Sequence, residues 1–132
     1  MPRGKRLRKV VAPPAFKSYA PTGKIKNGVV DLLYEEYEAL KLADYDLMNH
    51  LEASKLMGVS RPTFARIYES ARRKIAKALV ENKEIKAVYG NVYFDEKWFE
   101  CEKCEGKFTL PDKKMAACPI CKSVDIKPVT GS

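Results

Sequence analysis

The spacing of apolar residues changes character along the chain, and the changes mark its elements. Residues 1–27 carry prolines at 2, 13, 14 and 21, which exclude a long helix there. An extended segment is expected, with Val10, Val11, Phe16 and Tyr19 available to pack on the next domain. From Asp31 the apolar spacing becomes helical. Asp31 is suited to cap a helix to about Asp44 with Leu33, Tyr37 and Leu40 on its buried face. Glu35, Glu36 and Glu38 suit its first turns, near the positive end of the macrodipole. Asn49 caps a short second helix ending at Met57, and Gly58 turns the chain. Ser60 caps a third helix to about Val80, with Pro62 tolerated in its first turn. At about 100° per residue, Phe64, Ile67, Tyr68, Ala71, Ile75 and Ala78 fall on one face of it.

After Asn82 the period shortens. Ile85–Tyr89, Gly90-Asn91 and Val92–Phe94 predict a tight hairpin, with a plain linker as the alternative, and Trp98-Phe99 predicts a further strand. The expected fold class is mainly α. A helix-turn-helix domain of about three helices (28–82) follows a basic, Pro-rich arm (1–27) and precedes a short β-hairpin or linker (83–98) and a small four-cysteine module (99–132).

The cysteines change the picture most. All four lie in Cys101-x2-Cys104 and Cys118-x2-Cys121, the ligand spacing of a structural zinc ribbon or rubredoxin knuckle. One structural zinc ion is expected, and iron uses the same ligands. Residues 99–132 number only 34, below the size at which a domain usually holds without a staple. Phe99 and Phe108 flank the first turn and are placed to pack over the metal. Two disulfides are the competing reading and require an oxidising compartment. No apolar h-region follows the basic first nine residues, so the expected location is cytoplasmic, and no apolar run is long enough for a membrane span.

The net charge of +8 is unevenly placed. Residues 1–30 hold eight Lys/Arg and no acids, residues 31–58 are net −5, residues 59–80 are net +5, and the remainder balances. Two basic blocks bracketing an acidic one suggest a polyanion meeting the arm and the third helix while the acidic helices face elsewhere.

The stretch from His50 to Ile67 has the order of a helix-turn-helix: small Ala53 and Ser54, a Gly-Val-Ser turn, then Phe64 and Ile67 packing back. The N-terminal part of the second helix of such a pair enters the major groove. Arg61 and Arg66 are the candidates for base edges, with Pro62 beside them; Thr63, Arg72, Arg73 and Lys77 are placed for phosphates. Arg3, Lys5, Arg6, Arg8 and Lys9 of the arm are candidates for backbone contact. His50, the only histidine, is expected to be a surface residue at the start of a helix.

Several runs together carry a resemblance to a known family. They are Met1-Pro2-Arg3 with its basic continuation, Glu38-Ala39-Leu40-Lys41-Leu42-Ala43-Asp44, Gly58 through Ile67, and Glu69 through Leu79. Over roughly residues 1–90 the chain resembles an uncharacterised family of small archaeal and bacterial proteins described as predicted DNA-binding proteins. Their helix-turn-helix is similar to the C-terminal promoter-reading region of sigma factors. His50 stands where the family often has Gln, and Ser54 where it often has Ala. The ribbon is not part of the common core.

Three functions compete. The first is sequence-specific binding of double-stranded DNA by a transcription regulator, with homodimerisation open. The second is an adaptor that docks on RNA polymerase, a ribosome or another protein through the ribbon and arm. An enzyme is the weakest, because the chain has no phosphate-binding glycine loop, no partner for its histidine, and no metal position left open by four cysteines.

Overall fold

The computed structural model describes residues 7–23, 27–110 and 117–129. The helices are α1 (Tyr34–Leu40), continued by a π-helical stretch over Lys41–Tyr45, then α2 (His50–Met57) and α3 (Arg61–Glu81). The strands are β1 (Arg8–Lys9), β2 (Ser18–Tyr19), β3 (Val29–Leu33), β4 (Glu84–Val88), β5 (Val92–Tyr93), β6 (Trp98–Cys101), β7 (Lys107–Thr109) and β8 (Ile126–Pro128).

The helices form the crossover between two adjacent parallel strands. β3 pairs with β4 from Val29↔Glu84 to Leu33↔Val88, and parallel neighbours require a long connection. α3 packs on both α1 and α2. Their shared core is Ala39, Leu42, Ala53, Met57, Phe64 and Ile67.

Three expectations are corrected. Asp31 does not cap α1; it lies in β3, paired with Lys86, and the helix starts at Tyr34, where Glu36 Oε1 accepts from Leu33 N at 2.8 Å. The buried face of α1 is not Leu33, Tyr37 and Leu40, which are half-buried, but Tyr34, Glu35, Glu36, Glu38 and Ala39. Each of these carboxylates finds an internal partner. Glu36 takes Ser70 Oγ (2.5 Å) and Lys74 Nζ (2.8 Å), Glu38 takes Val11 N (2.9 Å), and Glu35 takes Asn91 N (3.2 Å). Three acids of the block therefore tie the fold together, while Asp31, Asp44, Asp46 and Glu52 stay exposed.

Third, β4 and β5 do not form a hairpin. β4 lies between β3 and the antiparallel β2, whereas β5 pairs in parallel with β1. The reason lies at Gly90. A Cβ there would fall inside the Glu35 carboxylate, so the Gly-Asn step carries bare backbone over a buried acid instead of reversing the chain.

The N-terminal segment contributes a strand to two of the three sheets. Just past β1, Val10 is fully buried with Tyr34 and Val92, and Val11 beside it is 57% exposed. Phe16 is half-buried and packs at a tilt against Tyr19, ring centroids 4.9 Å apart, while Tyr19 itself is exposed.

Candidate metal centre and nucleic-acid interface

The four cysteines converge as their spacing predicts. All four Sγ atoms lie within 4.8 Å of one another. Cys101 Sγ is 3.5 Å from Cys121 Sγ, and Cys104 Sγ is 3.6 Å from Cys118 Sγ. A zinc–sulfur bond of about 2.3 Å gives a tetrahedral edge of about 3.8 Å, so the residues fit a four-thiolate ion. All four cysteines are free rather than disulfide-bonded.

The two turns are built alike. Cys104 N donates to Cys101 Sγ and Ile120 N to Cys118 Sγ, both at 3.4 Å. Glu105 N and Lys122 N close back on the carbonyls of Cys101 (2.9 Å) and Cys118 (2.8 Å). Glu105 and Lys122 each sit at φ 64°, the left-handed region that glycine enters most cheaply.

The amide of Cys104 holds the Cys101 thiol below its ordinary pKa. Burial raises the Cys118 thiol, but the amides of Cys121 and Ile120 and the adjacent thiols outweigh it and bring it to about 7. Cys104 shifts the other way: the Gly106 amide lowers it, yet burial and the three other cysteines push it up to about 12. Cys101 and Cys118 are also the buried pair. Phe99 and Phe108 stack at 6.2 Å, and Phe108 packs with Cys101 and Cys118.

The helical pair is assembled from local rules. Asn49 and Glu52 exchange capping hydrogen bonds of 2.8 and 3.2 Å at the start of α2. Gly58 ends α2 at φ 67°, and Val59 N returns to Ser54 O at 3.0 Å. Ser60 Oγ accepts from Thr63 N at 3.3 Å and starts α3. His50 is half-buried, its ring 5.2 Å from both Phe64 and Tyr68, so it is a packing residue more than a surface one.

Arg61, Pro62, Arg66, Arg72, Arg73 and Lys77 are all exposed along α3, and Thr63 is half-buried through its bond to Ser60. They differ in freedom. Arg72 lies 5.3 Å over the Tyr68 ring and 3.7 Å from Asp44, and Arg73 pairs with Glu69 at 2.8 Å. Among the described residues Arg61, Arg66 and Lys77 have no ion-pair partner.

The arm divides. Arg3, Lys5 and Arg6 lie outside the described residues. Arg8 is folded inward, its side chain 12% exposed and 4.0 Å from Glu35, and Lys9 pairs with Asp95 at 2.6 Å. Sequence reasoning missed these internal uses because the acid partners lie far away in the chain. The same holds for Lys107, which reaches Pro14 O at 2.6 Å and joins the ribbon to the N-terminal segment.

Comparison with known proteins gives matches without functions. Residues 1–94 match the family described as "Protein of unknown function DUF134". A "UPF0251 protein" of Methanothermobacter thermautotrophicus is 35% identical over 98% of this chain and 69% of its own length. One from Chloroherpeton thalassium is 39% identical over 96% of this chain and 86% of its own. One from Pelotomaculum thermopropionicum is 36% identical over 95% and 96%. No solved structure matches. Among the described residues no helix is long and apolar enough to cross a membrane.

Proposed function

Because the chain belongs to the DUF134 family, whose function is unknown, its role has to be argued from its surfaces, and we propose that it is a sequence-specific DNA-binding protein. In this reading α2 and α3 form a helix-turn-helix, α3 enters the major groove, and the protein regulates transcription without being an enzyme. The single observation that carries the reading is the free cationic face of α3. Arg61 and Arg66 are exposed on its N-terminal half with no ion-pair partner among the described residues, Arg66 opposite the face packed on α1 and α2 and Arg61 at the edge of that face. An exposed, unpaired Arg near a helix start can grip the O6 and N7 of guanine with two hydrogen bonds. Lys77 extends the positive strip toward the phosphates, and Arg72 and Arg73 add to it more weakly because Asp44 and Glu69 engage them in exposed pairs. Arg8 and Lys9 are left out of this reading, because Glu35 and Asp95 already occupy them.

The cysteine centre is read as one structural zinc ion. Cys101, Cys104, Cys118 and Cys121 would hold it with no open coordination position, and its chemistry is the closing of the ribbon. Free thiols suit a reducing, cytoplasmic setting.

A second reading has its own observation. Ile120 and Val124 at the ribbon tip are 66% and 75% exposed, which suits docking on another protein such as a polymerase. Selection of bound sequences from a random duplex pool decides between them. Enrichment of a defined site supports the first reading; binding without enrichment, with a steep salt slope, removes it.

A further inference from the structure

A cavity of about 270 Å3 opens where the N-terminal segment, the central sheet and the ribbon meet. Phe16, Tyr34 and Ala87 give it apolar walls, and Lys17, Lys86 and Lys107 line it from three separate segments of the chain. Two acids, Glu84 and Glu100, also line it.

The cations are not equally committed. Lys17 pairs with Glu105 at 3.3 Å. Lys107 is half-buried and spends one N–H on Pro14 O (2.6 Å), with the Tyr34 ring 6.0 Å away. It has no carboxylate within ion-pair distance among the described residues; burial lowers its pKa, and the charges of Glu100, its cross-strand neighbour, and Glu105 offset this only in part. Lys86 is exposed and has no ion-pair partner among the described residues. Of the acids, Glu100 pairs with the half-exposed Lys127 at 3.8 Å and also stands across the strand pair from Lys107, so three lysines meet two acids in the lining. The balance is one positive charge beside an apolar wall.

We propose that this cavity binds a small organic monoanion, such as a carboxylate on a flat apolar body, with Lys107 and Lys86 holding the charge and Phe16 and Tyr34 flanking the body. An entering anion gives Lys107 the partner it lacks in a site partly shielded from water, where such a bond is strongest. A dianion would exceed the local charge with Glu84 present. This site is separate from α3, and its occupation is read without DNA.

The test uses the full metal-loaded chain, titrated with benzoate and followed by backbone amide NMR shifts. Benzyl alcohol is the neutral control and acetate the anion without a ring. Saturable shifts at Phe16, Ala87 and Lys107 with benzoate, absent with benzyl alcohol and weaker with acetate, are expected. Lys86→Gln lies on an exposed strand position and should fold normally while weakening benzoate by about tenfold, the loss of one charge-assisted hydrogen bond. Lys107→Gln should abolish saturation; because Lys107 also docks the ribbon, the Lys86 variant decides. The proposal is overturned if benzoate fails to saturate at millimolar concentration, if its shifts lie only along α3, or if Lys86→Gln binds it unchanged.

Discussion

Glu38 Oε2 accepts the backbone N–H of Val11 at 2.9 Å, with only 1% of the Glu38 residue exposed. One carboxylate on the inner face of α1 therefore fixes where the N-terminal segment crosses the helical unit. Burial raises its pKa above the ordinary carboxylate range, against the opposing pull of the Val11 amide and Lys41.

That shift sets a pH dependence. The folded chain holds the Glu38 proton to higher pH than the unfolded chain does. Its contribution to stability is fully present below the unfolded pKa and is lost as pH rises through the raised folded value. Glu38→Gln keeps an oxygen for the Val11 amide and removes the charge. The variant should be at least as stable as the parent at pH 7 and should lose this component of the slope. Urea unfolding of both chains from pH 4 to pH 8 checks it; a parent-like slope in the variant contradicts the assignment.

A second buried acid holds the helices. Glu36 receives Leu33 N, Ser70 Oγ and Lys74 Nζ, joining the start of α1 to the middle of α3. Removing one partner of a buried pair strands the other, but the Lys74 side chain is 32% exposed and water screens part of the loss. Glu36→Ala should therefore cost ~2–3 kcal/mol, below the full buried-pair range of about 3–5 kcal/mol. Gly90→Ala should also destabilise, because its methyl would displace the Glu35 carboxylate from a site with 3% exposure. Denaturation midpoints at constant m-value report both, and a neutral Gly90→Ala would mean that Glu35 has room to swing aside.

The parts of the fold legible in the sequence are those specified within one turn of chain. Asn49 with Glu52, Gly58, and Ser60 with Thr63 set α2 and α3 almost to the residue. The two Cys-x2-Cys turns likewise specify their sulfur cluster locally. What escaped was non-local. The apolar run at 85–88 does mark a strand, but nothing in it says that its partners lie at 29–33 and 18–19 rather than at 92–93. Glu35, Glu36 and Glu38 read as solvated because carboxylates usually are. Their burial depends on Asn91, Lys74 and Val11, whose nearness only the closed fold supplies.

The knuckles offer a stabilising change. Lys122 occupies φ 64° with a Cβ, a strain of about 1–2 kcal/mol that glycine avoids. Glycine returns about 0.5–1 kcal/mol of that as extra freedom in the unfolded chain. Lys122→Gly should then raise the stability of the metal-loaded ribbon by ~0.5–1 kcal/mol, the difference between the two effects. Thermal unfolding of the loaded proteins measures this, and a lower melting temperature in the variant would refute the knuckle geometry.

Metal removal tests the centre itself. Each thiol must lose its proton to bind the ion, so metal affinity should rise with pH between 6 and 8. Cys104→Ser should lose stoichiometric metal and the packing of Phe99 and Phe108, leaving α1–α3 folded on their own core. Elemental analysis with near-UV and far-UV circular dichroism separates the two effects. A metal-free variant with an intact ribbon would show that packing alone closes it.

The sharpest prediction lies on α3. Arg66 is exposed, unpaired among the described residues, and on the side of the helix away from Phe64 and Ile67. If it reads a base, Arg66→Ala should cost about 1–3 kcal/mol on the preferred duplex and relax preference at one base position. Lys77 is nearly three turns farther along and equally free, so Lys77→Ala should weaken every duplex by a similar factor and lower the salt slope by about 1. Arg73 gives an internal contrast. Its guanidinium already has Glu69 at 2.8 Å, and breaking that exposed pair costs little, so Arg73→Ala should resemble Lys77→Ala with a smaller effect. None of the three side chains touches the core, so circular dichroism and melting temperature should stay at the parent values. Binding across single-base variants of a selected site separates the classes. If Arg66→Ala leaves both affinity and base preference untouched, α3 is not a reading helix, and docking through the ribbon becomes the better account.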